Sequence, residues 1–501
     1  MKSHAKIRPA RDRPGRHRGP APAQRLWSCH APALPIIWTP CAQDAGAECG
    51  ALKVPIDWDD PGEGSIDLAL ARRKATGRTT RIGSLVINPG GPGISGVDFV
   101  LSAGGYFSGE LTSRFDIVGF DPRGVGRSHP VVCSSALLGE GPHPLIGSQA
   151  ELEARLAYNR RLREDCRART GPLFDHVSSL SVARDLDALR AALGEEKLTY
   201  YGGSYGTLIG QLYAERFPHR VRALALDGNF DHSLGTAAYL DTAALHAEGS
   251  FDEFAAWCTR TAGCALHGKD VRAFWADLLA RADRGELHRP GRSAEPMTSW
   301  DLTDMAFAAF YGPNWAELAE LLLAIDTGEE PPSPFTGPEQ DGAVSPFPRA
   351  VYCQDFHLPV RDYREYAAHL GRQSTLAGDM RFSPAALGAL ASCLGQPTPL
   401  PNPQHRLRVE GSPPILLANS LHDPASGYLW AVSTAQQIGH EARLLTYEGA
   451  GHGVYGRSDC TTETIDRYLT SLVVPAPGAR CPAVSPPDGR ARLGVRHPSL
   501  R

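Results

Sequence analysis

Apolar and polar residues alternate over 52–58 and again over 66–72, with Asp59-Asp60-Pro61-Gly62 between the two runs. Period-two alternation on either side of a turn signal predicts an antiparallel pair of strands. Residues 82–87, Ile-Gly-Ser-Leu-Val-Ile, are almost continuously apolar. That pattern predicts a strand buried on both faces. Residues 115–120 read as the next strand. Val182, Leu186, Leu189 and Leu193 then recur at helical spacing, which predicts a helix over about 181–193, closed by Gly194. A strand over 197–201, a helix over 207–217 and a strand over 221–226 follow. Strands that alternate with helices predict a mainly parallel sheet.

From about His232 to Arg408 this rhythm stops. The periodicity there predicts helices over 251–258, 271–284, 302–310 and 315–326, interrupted by a stretch holding Pro331, Pro332, Pro334, Pro338, Pro346 and Pro348. Strand patterns resume at 414–419 and 442–447. The intervening ~170 residues read as a mainly helical cap inserted between two strands, since surface loops tolerate long insertions at modest entropic cost. The expected organisation is a tail (1–25), the first part of an α/β core (26–231), the cap (232–408), the second part of the core (409–482) and a second tail (483–501).

Composition changes this picture at the ends. Residues 1–25 hold eight Lys or Arg against the single acid Asp12. With so little apolar surface to bury, such a segment is expected to be disordered, and the Pro- and Arg-rich 483–501 likewise. Over the whole chain, 42% hydrophobic and 21% charged residues describe a soluble globular protein. A formal net charge of -4 implies no general attraction to nucleic acid. No apolar run reaches the ~20 residues of a membrane span. Oligomeric state is not legible.

Eleven cysteines are present, and setting Cys29 aside leaves ten that fall into sequence neighbours: 41/49, 133/166, 258/264, 353/393 and 460/481. An even, locally grouped set suggests disulfides and an oxidising compartment, with ordinary buried thiols as the alternative. Export is therefore favoured, although no leader is recognisable: the apolar run 33–38 is short and contains Pro35.

The chemistry concentrates at three strand ends. Gly202-Gly203-Ser204-Tyr205-Gly206 lies between the strand 197–201 and the helix 207–217. Strand, G-x-S-x-G, helix is the setting of a nucleophile elbow, whose glycines permit a strained turn that presents the serine hydroxyl. Taken alone the pentapeptide is weak, because the chain has 52 glycines. Two later segments strengthen it. The strand 414–419 runs into His422-Asp423-Pro424, and the strand 442–447 into Gly451-His452-Gly453. Ser, Asp, His is the chain order of the α/β-hydrolase fold. The expected fold is therefore α/β-hydrolase, a mostly parallel central sheet with a large, mainly helical cap between core strands. Ser204 is the expected nucleophile, His452 its base and Asp423 the group that orients the imidazole. His422 adjoins Asp423, but a base belongs on the later strand. His30, His246, His267 and His357 have no such setting. The expected oxyanion donors are the amide of Tyr205 and, from the loop Asn88-Pro89-Gly90-Gly91-Pro92-Gly93, that of Gly91.

Asp121-Pro122-Arg123-Gly124-Val125-Gly126-Arg127-Ser128 follows the strand 115–120. It reads as structural, with Asp121 and Arg123 bracing neighbouring loops. Its glycines lack dinucleotide spacing, and neither CxxC nor HExxH occurs, so no metal or other cofactor is expected.

These motifs resemble the secreted bacterial tripeptidyl aminopeptidases, α/β-hydrolase serine exopeptidases related to the proline iminopeptidases. The similarity rests on the 88–93 loop, the 121–128 loop, the elbow, Asp423-Pro-Ala and Gly451-His-Gly. It spans about Ile37 to Cys481, with Trp38-Thr-Pro-Cys41 and Cys49 at its start and Cys460…Cys481 at its end. The resemblance implies release of short peptides from a free amino terminus, access limited by the cap, and export to the envelope or beyond. It also implies cap carboxylates that hold the substrate ammonium. Glu248, Asp252 and Glu253 are candidates by charge, against the plainer reading of a solvated helix face.

The expected partner is a small peptide or ester. Fold and triad do not fix the substrate, so a carboxylesterase or lipase is the alternative within the class. A non-catalytic binding or envelope protein on a hydrolase fold is the alternative outside it.

Overall fold

The computed structural model describes residues 35–486 apart from 103, 290–291 and 330–342. The basic segment 1–25, Cys29, His30, most of the Pro-rich stretch and 487–501 lie outside the described residues. Among the described residues, no helix is long and apolar enough to cross a membrane.

A ten-stranded sheet runs in the order Thr39–Pro40, Glu48–Pro55, Ser65–Arg73, Phe115–Phe120, Gly83–Asn88, Leu198–Gly203, Val221–Asp227, Ile415–His422, Ala442–Ala450, Arg480–Cys481. The first four are paired antiparallel. From Phe115–Phe120 onward every pairing is parallel. The strands expected over 52–58 and 66–72 are the antiparallel pair Glu48–Pro55 and Ser65–Arg73.

The continuous apolar character of the central strands follows from burial on both faces. Leu85, Ile87, Ile117, Ala223, Ala225, Leu416 and Ala418 join one core. Their chain neighbours Val86, Val118, Leu224, Leu226, Ile415 and Leu417 join another. Successive residues of a strand point to opposite sides, so each core covers one face. Val182, Leu186, Leu189, Leu208 and Leu212, from the helices Ser179–Ala192 and Gly206–Arg216, complete the second core. Val97, Val100, Ile465 and Leu469, from Gly96–Ser102 and Asp459–Ser471, complete the first.

Between the neighbouring parallel strands Val221–Asp227 and Ile415–His422 the chain makes its long excursion. The helices Thr236–Arg260, Val271–Asp283, Ser299–Tyr311 and Trp315–Thr327 contribute Phe251, Phe254, Trp275, Phe307, Phe310 and Trp315 to a third core. Thr298 starts one of them with a reciprocal cap: it accepts from the Asp301 amide while Asp301 accepts from the Thr298 amide. The excursion is not purely helical. Val344–Pro346 pairs antiparallel with Val132–Ser134 of the first core segment, and the short helix Arg349–Asp355 follows it.

Five disulfides join Cys41 to Cys49, Cys133 to Cys166, Cys258 to Cys264, Cys353 to Cys393 and Cys460 to Cys481. These are the five groupings expected from sequence spacing.

Candidate active site

Leu198–Gly203, Val221–Asp227, Ile415–His422 and Ala442–Ala450 are parallel neighbours, so their carboxyl ends share one edge of the sheet. Ser204, Asp423 and His452 each follow one of these strands within two residues. That edge is where open α/β sheets bind their ligands.

Ser204 has φ +52°, a left-handed conformation uncommon for a side-chain-bearing residue. The surrounding contacts impose it. The Ser204 amide donates to Asp227 O at 2.8 Å, and Thr207 N returns to Ser204 O at 2.9 Å. A Cβ at Gly202 would lie 2.6 Å from Gly206 O, and one at Gly206 would lie 2.5 Å from Asn88 O. Neither contact is tolerable, so both positions require glycine. Gly203 is different: its nearest neighbour would be Pro89 O at 3.5 Å, an ordinary contact.

Asp423 is fully buried. Both its oxygens lie 3.0 Å from His452 Nδ1. It also accepts from the amides of Ala425 and Ser426, each at 2.9 Å, and from Ser426 Oγ at 3.1 Å. Burial alone would push this carboxyl up, but His452 and the two amides outweigh it and hold it below the ordinary carboxylate range. The His452 ring packs edge-on against Tyr311, centroids 4.9 Å apart, and the His452 amide donates to Tyr311 O at 2.9 Å. His422 is directed elsewhere, with Nε2 3.6 Å from Glu253. His246 is a core histidine against Trp430, and burial lowers it to about 4.

The 88–93 loop lies against the elbow. A Cβ at Gly90 would sit 2.8 Å from the Tyr205 amide nitrogen and 3.0 Å from Ser204 Cβ. Gly90 N is itself taken by Asn88 Oδ1 at 2.9 Å. Among the described residues, no hydrogen bond engages the amides of Gly91 or Tyr205. Asp121 holds the following turn: it accepts from Ser95 Oγ at 2.5 Å, Val97 N at 3.1 Å and Arg127 N at 2.8 Å. Arg123 and Asp185, both fully buried, form a two-point ion pair at 2.6 and 2.7 Å. Arg123 also donates to the carbonyls of Pro55, Ile56 and His176. Asp121 and Arg123 both brace neighbouring loops, as the sequence suggested.

Each of the three acidic candidates has protein partners of its own. Glu248 accepts from the Asp379 and Met380 amides at 3.1 and 2.9 Å. Asp252 pairs with Arg272 at 2.5 Å, and Arg272 also reaches Asp379. Glu248, Asp252 and Asp379 lie close enough together to suggest a cation site, but the Arg272 guanidinium already supplies a cation to two of them. Glu253, through His422, approaches the Asp423 loop.

Two further residues hold the site and carry no sequence motif. Asp227 ends the strand next to the elbow. Its carboxylate accepts from Val454 N at 2.8 Å, Tyr455 N at 2.9 Å and Tyr201 Oη at 2.8 Å. Asp355 accepts from Tyr205 Oη at 2.6 Å, Ser179 Oγ at 2.6 Å and Asn402 Nδ2 at 2.7 Å. Burial, partly offset by those donors, pushes its carboxyl up to about 6.

Residues 83–456 match the family model described as alpha/beta hydrolase fold. The chain belongs to that family. It is 33% identical over 481 residues to the serine protease Hip1 of Mycobacterium tuberculosis, covering 89% of this chain and 91% of that protein. It is 32% identical over 463 residues to a tripeptidyl aminopeptidase of Streptomyces coelicolor, covering 87% and 83%. It is also 30% identical over 484 residues to carboxylesterase B of Mycobacterium tuberculosis, covering 90% and 91%. As an alpha/beta hydrolase with relatives of these kinds, the protein is a serine hydrolase.

Proposed function

We propose that Ser204, His452 and Asp423 form an acyl-transfer triad that releases short peptides from free amino termini. The observation that carries this is the Asp423–His452 contact on the edge where the strained Ser204 turn stands. A neutral serine hydroxyl is a poor nucleophile without a base. His452 Nε2 takes the Ser204 proton as Oγ attacks the carbonyl carbon, and later gives it to the leaving amine. Asp423 fixes the tautomer through Nδ1–H and stabilises the imidazolium. The amides of Gly91 and Tyr205 receive the charge that develops on the carbonyl oxygen. Losing one such donor costs turnover about 10²- to 10³-fold. Water then attacks the acyl-enzyme by the same route in reverse.

Two relatives named as a serine protease and a tripeptidyl aminopeptidase favour peptide bonds. The relative named carboxylesterase B supports ester hydrolysis as the second reading. A panel of tripeptidyl and aminoacyl anilides beside acyl esters, each run with Ser204→Ala, separates them. Anilide turnover that requires a free amino terminus supports the aminopeptidase, and turnover of esters alone removes it. Five disulfides fit folding in an oxidising compartment, so export is part of the same proposal.

A further inference from the structure

The carbonyls at the end of a helix have no partner within it. Ser299–Tyr311, a helix of the long excursion, ends against His452. Tyr311 O accepts the His452 amide at 2.9 Å and Arg457 Nη2 at 2.7 Å. Gly312 O accepts Arg457 Nη1 at 3.4 Å. The end of this helix is thus capped by the segment that follows the strand Ala442–Ala450.

The same guanidinium also holds that segment. Arg457 Nη2 donates to His452 O and Nε to Gly453 O, each at 3.1 Å. Among the described residues, the Arg457 side chain forms no ion pair and donates to main-chain carbonyls alone. Gly451, at φ +107°, leaves the space for it. A Cβ there would lie 2.7 Å from Arg457 Nη2 and 2.8 Å from Pro313 Cδ.

A guanidinium carries its donors in a rigid planar fork. Two segments bound to one fork keep a fixed separation, which the single nitrogen of a lysine cannot impose. The clamped helix end carries the Tyr311 ring, which stands edge-on to the imidazole with centroids 4.9 Å apart. Asp423 holds that imidazole at Nδ1. A ring held there alone can still tilt about the contact, and Tyr311 occupies one side of it.

We propose that Arg457 is a positioning residue that locks the end of Ser299–Tyr311 to the His452 segment. The excursion, and not only the sheet edge, then sets where the imidazole stands. It is part of the seat of the base rather than a lid over a finished site. This rests on the triad reading, with His452 as base, and holds for an amide or an ester substrate alike.

The test is steady-state kinetics on whichever anilide or ester the enzyme turns over. Arg457→Gln is expected to lower kcat about 10- to 100-fold with KM little changed, because a displaced base weakens the transition state and not substrate binding. Arg457→Lys keeps the stem and the charge. It is expected to lose less, and it serves where Arg457→Gln fails to fold. The melting temperature of each variant shows that folded proteins are compared. The deciding measurement is a double-mutant cycle with His452→Ala. A residue that acts by placing the imidazole has nothing left to place there, so either Arg457 variant should leave the residual rate of His452→Ala unchanged. An Arg457 variant with wild-type kcat overturns the proposal. So does one that raises KM alone, or one that lowers the rate equally with and without His452. Wild-type turnover by His452→Ala overturns the triad reading and this inference with it. A silent Arg457 variant beside an inactive His452→Ala overturns this inference alone.

Discussion

Asp227 joins Ser204 to the loop of His452: its main-chain carbonyl accepts the Ser204 amide at 2.8 Å, and its carboxylate accepts the Val454 amide at 2.8 Å. One residue therefore ties together the two segments that carry the proposed nucleophile and base. Burial, the largest influence, keeps its carboxyl above the ordinary range against its donors. Asp227→Ala leaves the Val454 and Tyr455 amides and the Tyr201 hydroxyl without their acceptor. The expected cost is about 2–4 kcal/mol of stability, with turnover reduced about 10- to 100-fold as the base loses its position. Thermal unfolding and kcat on one substrate measure the two effects separately.

Asp355 makes stability depend on pH in an unusual direction. Its native carboxyl titrates at about 6, against about 4 in an unfolded chain. The native state thus holds this proton more tightly. Asp355 contributes stability fully below about pH 4, and that contribution is lost as pH rises through 6. Asp355→Asn should flatten stability across that window. Melting temperatures of the two proteins from pH 4 to pH 7 provide the check.

The glycines around the serine should divide into required and replaceable ones. Gly90→Ala places a methyl 2.8 Å from the Tyr205 amide, at a position with φ +96°. It should lower turnover at least about 100-fold by filling the space of the proposed oxyanion. Gly203→Ala meets nothing closer than 3.5 Å and should retain most activity. Steady-state kinetics of both variants decide between a built oxyanion site and a merely tight turn.

The disulfides should differ in their contributions. Cys353–Cys393 spans 40 residues and Cys258–Cys264 only 6. Chain-entropy reasoning assigns about 4 kcal/mol to the first and about 2 to the second. Cys353 also lies two residues before Asp355, in the helix that holds Tyr205. Replacing 353 and 393 by Ala should lower both melting temperature and kcat, whereas replacing 258 and 264 should mainly lower melting temperature.

The central strands, the elbow and the Ser, Asp, His order were legible because each is encoded locally. A strand buried on both faces must be apolar, and a turn at φ +52° needs small flanking residues. The 22-residue helix Gln149–Thr170 was not legible. Its buried face is Leu152, Arg155, Tyr158, Asn159, Leu162 and Cys166, and two polar members interrupt the apolar spacing. Asn159 is buried only because it caps the carbonyls of Ala391 and Leu394, more than 230 positions away. Asp227 and Asp355 escaped for the same reason, since their donors come from distant segments. Charge alone pointed to Glu248 and Asp252, but could not reveal the amides and the arginine that occupy them.

The most direct test of the triad is covalent labelling of the folded protein with a fluorophosphonate, followed by peptide mapping. The expected result is one adduct per chain, on Ser204, lost in Ser204→Ala and strongly slowed in His452→Ala. An unlabelled Ser204 in folded protein, or substrate turnover that survives Ser204→Ala, would contradict it.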